Sequence, residues 1–340
     1  MKPAELRAAR AGAQLLAGEQ ASSAEEVVER LLAVQTQDLG AGMLSLRARV
    51  PGLTIPDVEA AINGKAIVTT WVNRGTIHML KPDDLPWLLA LTAPTQRTGA
   101  LRRLATDGVS AASAAKAVDV MVKALADEGP LKREDLRARV KQAGLDAEGR
   151  ALVHLLFHAS YEGHIVRGPI AGRQHLFIRT EDWLGRQPKP PPRERALAEL
   201  ARRYLKGFGP ATAADLAYWA GLPLRDARAG LEQIASELAH HDGFVDLRRR
   251  PPAPDRLPAK LLPLWDDTLV GHKDKTWLGE AGRVFAGGMI GPAATRAGRV
   301  IGKWSAANRR VVVQPFDGAS AHGFAAEIRD VQRFLATRPA

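Results

Sequence analysis

The chain has 340 residues, 46% of them hydrophobic and 25% charged, which suits a soluble globular protein of two to four compact units. With no cysteine, disulfides, thiolate metal sites and a cysteine nucleophile are excluded, and no apolar run approaches the length of a membrane span, so the reading is a cytoplasmic protein. A formal net charge of +11 favours a polyanionic partner, because cationic side chains release the counterions condensed on nucleic acid.

MKPAELRAARAGAQLL reads as an amphipathic helix through Leu16, with charges where a signal peptide has none. Ser23 followed by Glu26 makes a capping box, and Val27, Val28, Leu31, Leu32 and Val34 supply the apolar face of the next helix. Gln35 and Gln37 stand where that helix ends. In an extended segment residues two apart point the same way, so both amides can address one spot while Thr36 points away. Asp38 is the N-cap candidate of a helix from Leu39 to Val50, which carries Arg47 and Arg49 near its end and puts positive charge near the pair. Glutamine at a helix end is more commonly a cap or a solvated residue than a site.

A short helix at Pro56–Asn63 precedes an expected hairpin: IVTTWV at 67–72, an Asn73-Arg74-Gly75 turn, and TIHML at 76–80. Three helices and a two-stranded hairpin are the order of a winged helix, whose wing can reach a nucleic-acid backbone or groove. Residues 1–93 are therefore read as a first winged helix.

A repeat then decides the architecture. EGPLKREDLRARVKQAGLDAEGRALVHLLFHASYEGHIV, from Glu128, is echoed by FGPATAADLAYWAGLPLRDARAGLEQIASELAHHDGFVDL, from Phe208. Each copy reads helix, turn, helix, strand, giving a second winged helix over 94–185 and a third over 193–250. The first copy runs through Gly168 and Gly172 into a wing with Arg167 and Arg173 flanking its tip; the second wing is stunted. His154 and His158 lie four apart on one helix face, but nothing completes a coordination set, so no metal site is assigned. The basic, proline-rich stretches 186–195 and 248–258 read as connectors.

From residue 258 the period changes. LLPLWDDTLVGHKD, RVFAGGMI, GRVIGKW and RVVVQPF are short β-rich runs between glycine turns, so 258–340 is read as an antiparallel, barrel-like β domain closed by a helix from Ala321 to Leu335. Asp266 and Asp267 invite an acid/base role, yet adjacent acids in a strand point to opposite faces, and neither is assigned. The fold class is mainly α with β hairpins, tandem winged helices plus a C-terminal antiparallel β domain.

VQTQDLGAGMLSLRAR, followed by TTWVNRGTIHML and, near the C-terminus, LLPLWDDTLVGHKDK, resembles the AlkZ-like family of bacterial DNA glycosylases, winged-helix proteins with a Gln-x-Gln active-site motif. Gln35 and Gln37 match its two glutamines; the middle position, commonly aliphatic, is Thr36 here. Trp71, Arg74, Thr76 and His78 match the family's W-x-x-R-G-T-x-H pattern, although Trp71 and His78 also suit packing roles beneath the hairpin. The resemblance implies catalysis by Gln35 and Gln37, DNA contacts from Trp71, Arg74, Thr76 and His78, and a monomer acting on duplex DNA that carries an alkylated purine. Arg49, near the pair, and Arg167 and Arg173, on the wing, are read from their positions as further DNA contacts, and no cofactor is expected. The bond cut would be the N-glycosidic bond, including that of bulky guanine adducts and crosslinks. A purine alkylated on its imidazole ring is cationic and departs neutral, so positioned amides can suffice where a neutral base would need a strong acid. The competing reading is a winged-helix transcription regulator that binds DNA by sequence and catalyses nothing.

Overall fold

The computed structural model describes residues 1–145, 148–286, 288–308 and 310–337. The chain forms two compact units, one from Met1–Ala60 with Leu197–Ala340 and the other from Ala61–Ala196, which do not coincide with the four segments expected above. The fold is mainly α-helical with β hairpins and a β-rich C-terminal region.

The first part of the discontinuous unit holds α1 (Pro3–Ala13), α2 (Ala24–Leu31), β1 (Ala33–Gln35) and α3 (Leu39–Arg47), with α4 (Ile55–Asn63) beginning at its end. α1 stops short of Leu16 because Leu15 takes φ +60°, outside the helical region. Ser23 caps α2 as expected, its Oγ accepting from the Glu26 amide at 3.3 Å, but the Glu26 carboxylate accepts from Ser22 N at 2.7 Å, one residue earlier than a capping box requires. Asp38 caps α3 by accepting from Ala41 N at 2.8 Å.

In the other unit, β2 (Val68–Val72) and β3 (Thr76–Leu80) form the expected hairpin. After them come α5 (Leu85–Thr106), α6 (Ala111–Glu128), α7 (Arg133–Gln142), α8 (Ala151–Tyr161), β4 (Ile165–Ala171), β5 (Gln174–Arg179) and α9 (Thr180–Leu184). β2 also pairs with β4 through Thr69 and Arg167, and β4 with β5, so the first hairpin and the first-copy wing share one antiparallel sheet. Leu104, Met121, Leu136, Leu152 and Phe157 fill the core beneath it.

The chain then returns with α10 (Arg193–Phe208), α11 (Ala213–Ala220), α12 (Leu224–Gln233), β6 (Leu238–His241) and β7 (Phe244–Leu247). The sequence repeat has a structural counterpart. Leu131, just after the first Gly-Pro, exchanges both backbone hydrogen bonds with Phe177 on β5; Ala211, just after the second, does so with Val245 on β7. Each copy thus adds a one-residue bridge to its two-stranded wing, the three-stranded arrangement of a winged helix. β8 (Lys260–Leu262), α13 (Asp267–Val270), β9 (Phe285–Ala286), β10 (Met289–Ile290), β11 (Ala293–Arg296), β12 (Arg299–Ala307) and β13 (Arg310–Pro315) follow. Four of these strands form an antiparallel sheet in the order β13-β12-β11-β8. α14 (Ala325–Ala336) packs Val331 among Leu261, Trp304 and Phe324, four residues later in its start than the expected closing helix.

Candidate functional site

Leu32, with φ +64° and ψ −47°, breaks α2 and turns the chain into β1. This is an unfavourable backbone geometry for a side-chain-bearing residue, and it is held by complete burial of Leu32. β1 lasts three residues and ends at Gln35, so the two-residue alternation that would align Gln35 with Gln37 stops there. Gln35 is buried, Thr36 is buried beside it, and Gln37 is exposed. The expected matched presentation of the two amides is corrected in exposure: Gln35 is enclosed and Gln37 is open to solvent.

The Gln35 N–H donates to Asp267 Oδ1 at 3.4 Å. Its side-chain Oε1 is shielded from solvent and has no hydrogen-bond partner among the described residues. Unpaired buried acceptors are rare and point to a water or ligand group. Thr36 lies directly against α3, where a Cβ on Gly42 would stand 2.1 Å from Thr36 Oγ1, so the close approach of strand to helix requires glycine there.

Beneath this segment runs a buried polar network. Arg49 donates from Nη1 to Asp266 Oδ2 at 2.8 Å and from Nη2 to Asp266 Oδ1 at 3.0 Å, and its Nε donates to the Gln14 carbonyl at 3.0 Å. Ser45 Oγ donates to Asp266 Oδ2 at 2.7 Å, and Thr268 Oγ1 to Gln14 Oε1 at 2.8 Å. Burial opposes the Asp266 charge, but the Arg49 guanidinium and these hydrogen bonds outweigh it and hold the carboxyl below its usual range. Arg49 is 1% exposed, so its assignment as a DNA contact is corrected: it is a structural cation, enclosed and spent on Asp266. Arg47 is likewise consumed, by Glu327 and Asp330 at 2.9 Å each. The two acids left unassigned from sequence lie at the start of α13 and not in a strand as expected: Asp266 caps the helix through Thr268 N and pairs with Arg49, while Asp267 accepts from the Gln35 backbone and its charge also acts on Arg49. The only sequence signal for this was the WDD phrase itself, since nothing local links it to a strand so distant in the chain.

In the other unit, Trp71 is buried between Phe157, edge-on at 6.1 Å, and Phe177, stacked at 6.4 Å. Its packing role is the one realised, and its assignment as a direct DNA contact is corrected. Arg74 sits at the hairpin turn, partly exposed, between Asn73 at φ +54° and Gly75 at φ +87°. The Phe157 ring comes within 3.2 Å of where a Gly75 Cβ would lie, so the turn is seated against that ring. His78 is buried, and its Nδ1–H donates to the Thr76 carbonyl at 3.0 Å, leaving Nε2 as an acceptor. Burial first, and the Arg74 charge second, push its pKa down to about 3, so the imidazole is neutral at physiological pH. Thr70 Oγ1, Thr76 Oγ1 and both amide atoms of Asn73 are buried without hydrogen-bond partners among the described residues. This hairpin therefore carries unspent polar groups of its own.

Arg167 is not at the wing tip. It lies in the middle of the sheet, paired with Thr69 and Phe177, with its guanidinium 4.6 Å from the Trp71 ring centroid and 5.3 Å from that of Phe177. Desolvation, followed by repulsion from Arg133, lowers its pKa to about 10. Arg173 does occupy the β4–β5 turn and is exposed. On α8, His154 lies 3.9 Å from Asp107 and His158 3.6 Å from Glu162, each beside a different acid.

Residues 28–334 match the family described as DNA glycosylase AlkZ-like. The interstrand DNA cross-link repair glycosylase of Streptomyces sahachiroi is 26% identical over 323 residues, which cover 86% of this chain and 85% of that protein. The solved structure of Streptomyces sahachiroi DNA glycosylase AlkZ matches with a TM-score of 0.81 at 23% identity, over 99% of this chain and 98% of that one, a likeness of fold. No helix among the described residues is long and apolar enough to cross a membrane.

Proposed function

The chain belongs to the AlkZ-like family of DNA glycosylases, and from that premise we propose that it hydrolyses the N-glycosidic bond of cationic alkylated purines in duplex DNA, with Gln35 and Gln37 as the catalytic pair. The observation that carries this reading is Gln35 Oε1, a buried acceptor with no protein partner among the described residues, on a strand end anchored by Asp267. An oriented amide oxygen can hold a water for attack on the anomeric carbon while partial negative charge favours an oxocarbenium-like sugar.

In the proposed reaction the water oxygen bonds to C1′ as the bond from C1′ to the purine nitrogen breaks. The bonding pair passes to the base, which leaves neutral because alkylation had made it cationic. The water's proton passes to solvent. An amide cannot serve as a general base at neutral pH, so the reaction relies on the charge of the leaving group, and uncharged lesions are poor substrates. The product is an abasic site with the strand intact. No lysine imine and no cofactor enter the scheme, and one monomer acts on each lesion.

Arg74 and Arg173, on the hairpin turn and the wing turn, are the proposed phosphate contacts from the second unit. Thr76 and neutral His78 supply hydrogen-bonding groups on the same hairpin. Bulky guanine adducts and interstrand crosslinks are the proposed substrates, by extension from the cross-link repair relative. The test is a panel of duplexes, each with one lesion, scored for alkali-labile sites. Release of cationic N7-alkylguanines with uncharged lesions left intact supports the reading. Equal release of an uncharged deaminated purine, or release of neither class, overturns it.

A further inference from the structure

A cavity of about 570 Å³ opens between α10 and the β6–β7 ribbon, lined by Arg202, Arg203 and Lys206 from the helix and by Glu237, Arg248 and Arg249 from the ribbon side. The charges are not equivalent. Arg202 is spent on acids, donating to Glu237 at 2.9 and 2.8 Å and to Glu199 at 2.6 Å. Arg203 donates to the Glu29 carbonyl at 2.9 Å and lies 3.9 Å from Glu199. Lys206, Arg248 and Arg249 are exposed at the cavity, and none of the three has a carboxylate partner among the described residues.

Their placement is built rather than left to a loose loop. Arg250, the last of the arginine triplet, turns inward: its Nε contacts both Asp246 carboxylate oxygens at 2.8 and 2.7 Å, and its terminal nitrogens donate to the Leu205 and Lys206 carbonyls at the end of α10. Arg248 N donates to the Glu237 carbonyl at 2.8 Å, and Arg248 Nε to the Leu238 carbonyl at 2.8 Å. The clamp formed by Arg248 and Arg250 fixes the backbone on both sides of Arg249.

We propose that this cavity is a phosphodiester site, a further grip on the backbone of bound DNA supplied by Lys206, Arg248 and Arg249. Three uncompensated cations around one hollow call for an anion. Among the described residues no aromatic side chain lines it, so there is no platform on which a base could stack, and Leu247 is the only apolar one of them at its wall. The space is in the range of small-ligand sites, roughly 300–1,000 Å³, ample for a phosphate with its flanking sugars and loose for inorganic phosphate alone. The proposal rests on the DNA-directed function above, but its test needs no base release.

The test is binding of an undamaged duplex across a salt series by the wild type and by the Lys206→Gln, Arg249→Gln double variant. Both side chains are exposed and neither donates a hydrogen bond within the protein among the described residues, so an unchanged thermal melt is expected to certify the variant's fold. Arg249→Gln alone serves as a second variant and should lower the salt slope by about 1. Loss of two phosphate contacts lowers the slope of log affinity against log salt by about 2 and weakens low-salt binding by about tenfold. Base release under single-turnover conditions with saturating protein stays at the wild-type rate. Unchanged slope and affinity in a folded variant overturn the proposal. So does a wild-type melt raised by inorganic phosphate while duplex binding is the same in both proteins, which would assign the cavity to the free anion. If the slope falls but no cationic lesion is released by the wild type, the cavity stands and the glycosylase reading fails.

Discussion

The Gln35 amide N–H and Asp267 Oδ1, 3.4 Å apart, join residues separated by 232 positions in the sequence. Asp267 is fully buried, and its carboxylate accepts from the strand end that presents Gln35. At that length the bond contributes at the ordinary scale of about 0.5–1.5 kcal/mol, enough to bias the orientation of the strand end. Asp267→Ala is expected to lower single-turnover base release by about tenfold or more, with duplex affinity nearly unchanged. Asp267→Asn, which keeps an oxygen acceptor, should recover most of that rate; equal impairment of both variants would deny Asp267 its positioning role.

Arg49 gives a second prediction. Removing one member of a buried, hydrogen-bonded ion pair costs about 3–5 kcal/mol, because the other charge stays in a poorly solvating interior. Arg49→Met should lose stability on that scale in urea titrations, and the Arg49→Met, Asp266→Leu double variant should regain much of it. The salt slope of DNA binding should not move in any variant that remains folded. A fall of about 1 in that slope would return Arg49 to the DNA contacts.

Gly42 couples packing to chemistry. An alanine Cβ there would meet Thr36 Oγ1 at 2.1 Å and Thr36 Cβ at 2.6 Å, so Thr36 must move, and its neighbours Gln35 and Gln37 with it. Gly42→Ala should cost about 1–3 kcal/mol of stability and reduce base release by more than the unfolded fraction explains. Thr36→Gly in the same chain should restore part of both, as judged from melts and single-turnover rates.

Of the four histidines buried among the described residues, His78, His175 and His272 set the acid limit. Desolvation leads in lowering His78 to about 3, His175 to about 4, and His272 well below its ordinary value of 6.5. A histidine whose pKa is depressed by folding gains a proton on unfolding. Its stabilising contribution is complete above about pH 6.5 and is lost as the pH falls towards the folded value. Each contributes a slope of about 1.4 kcal/mol per pH unit between those limits, so urea midpoints should fall steadily below about pH 6.5. His175→Gln should flatten that fall by one histidine's share.

Much of this fold was legible because the signals were local. Ser23 and Asp38 mark helix starts by capping chemistry, the Asn73-Arg74-Gly75 turn closes a hairpin, and the Gly-Pro repeat announces two copies of one winged-helix layout. The misreadings arose where remote residues decide. An arginine near a helix end looks the same in the sequence whether it faces phosphate or Asp266. Arg167 looked like a wing-tip cation because its distance from Trp71 and Phe177 is a property of sheet register. Gln35 and Gln37 were read as a matched pair by strand periodicity, which fails one residue after the strand stops.

Release of a cationic base by two uncharged side chains is the reaction proposed for Gln35 and Gln37. It is tested most directly by single-turnover release of N7-methylguanine from a duplex by the wild type and by the Gln35→Ala, Gln37→Ala variant, with folding and duplex affinity matched. The wild type should release the base and the variant should lose at least about 10²-fold of that rate, on the scale of removing a positioned polar group from a transition state. Release at the wild-type rate by the variant would contradict it.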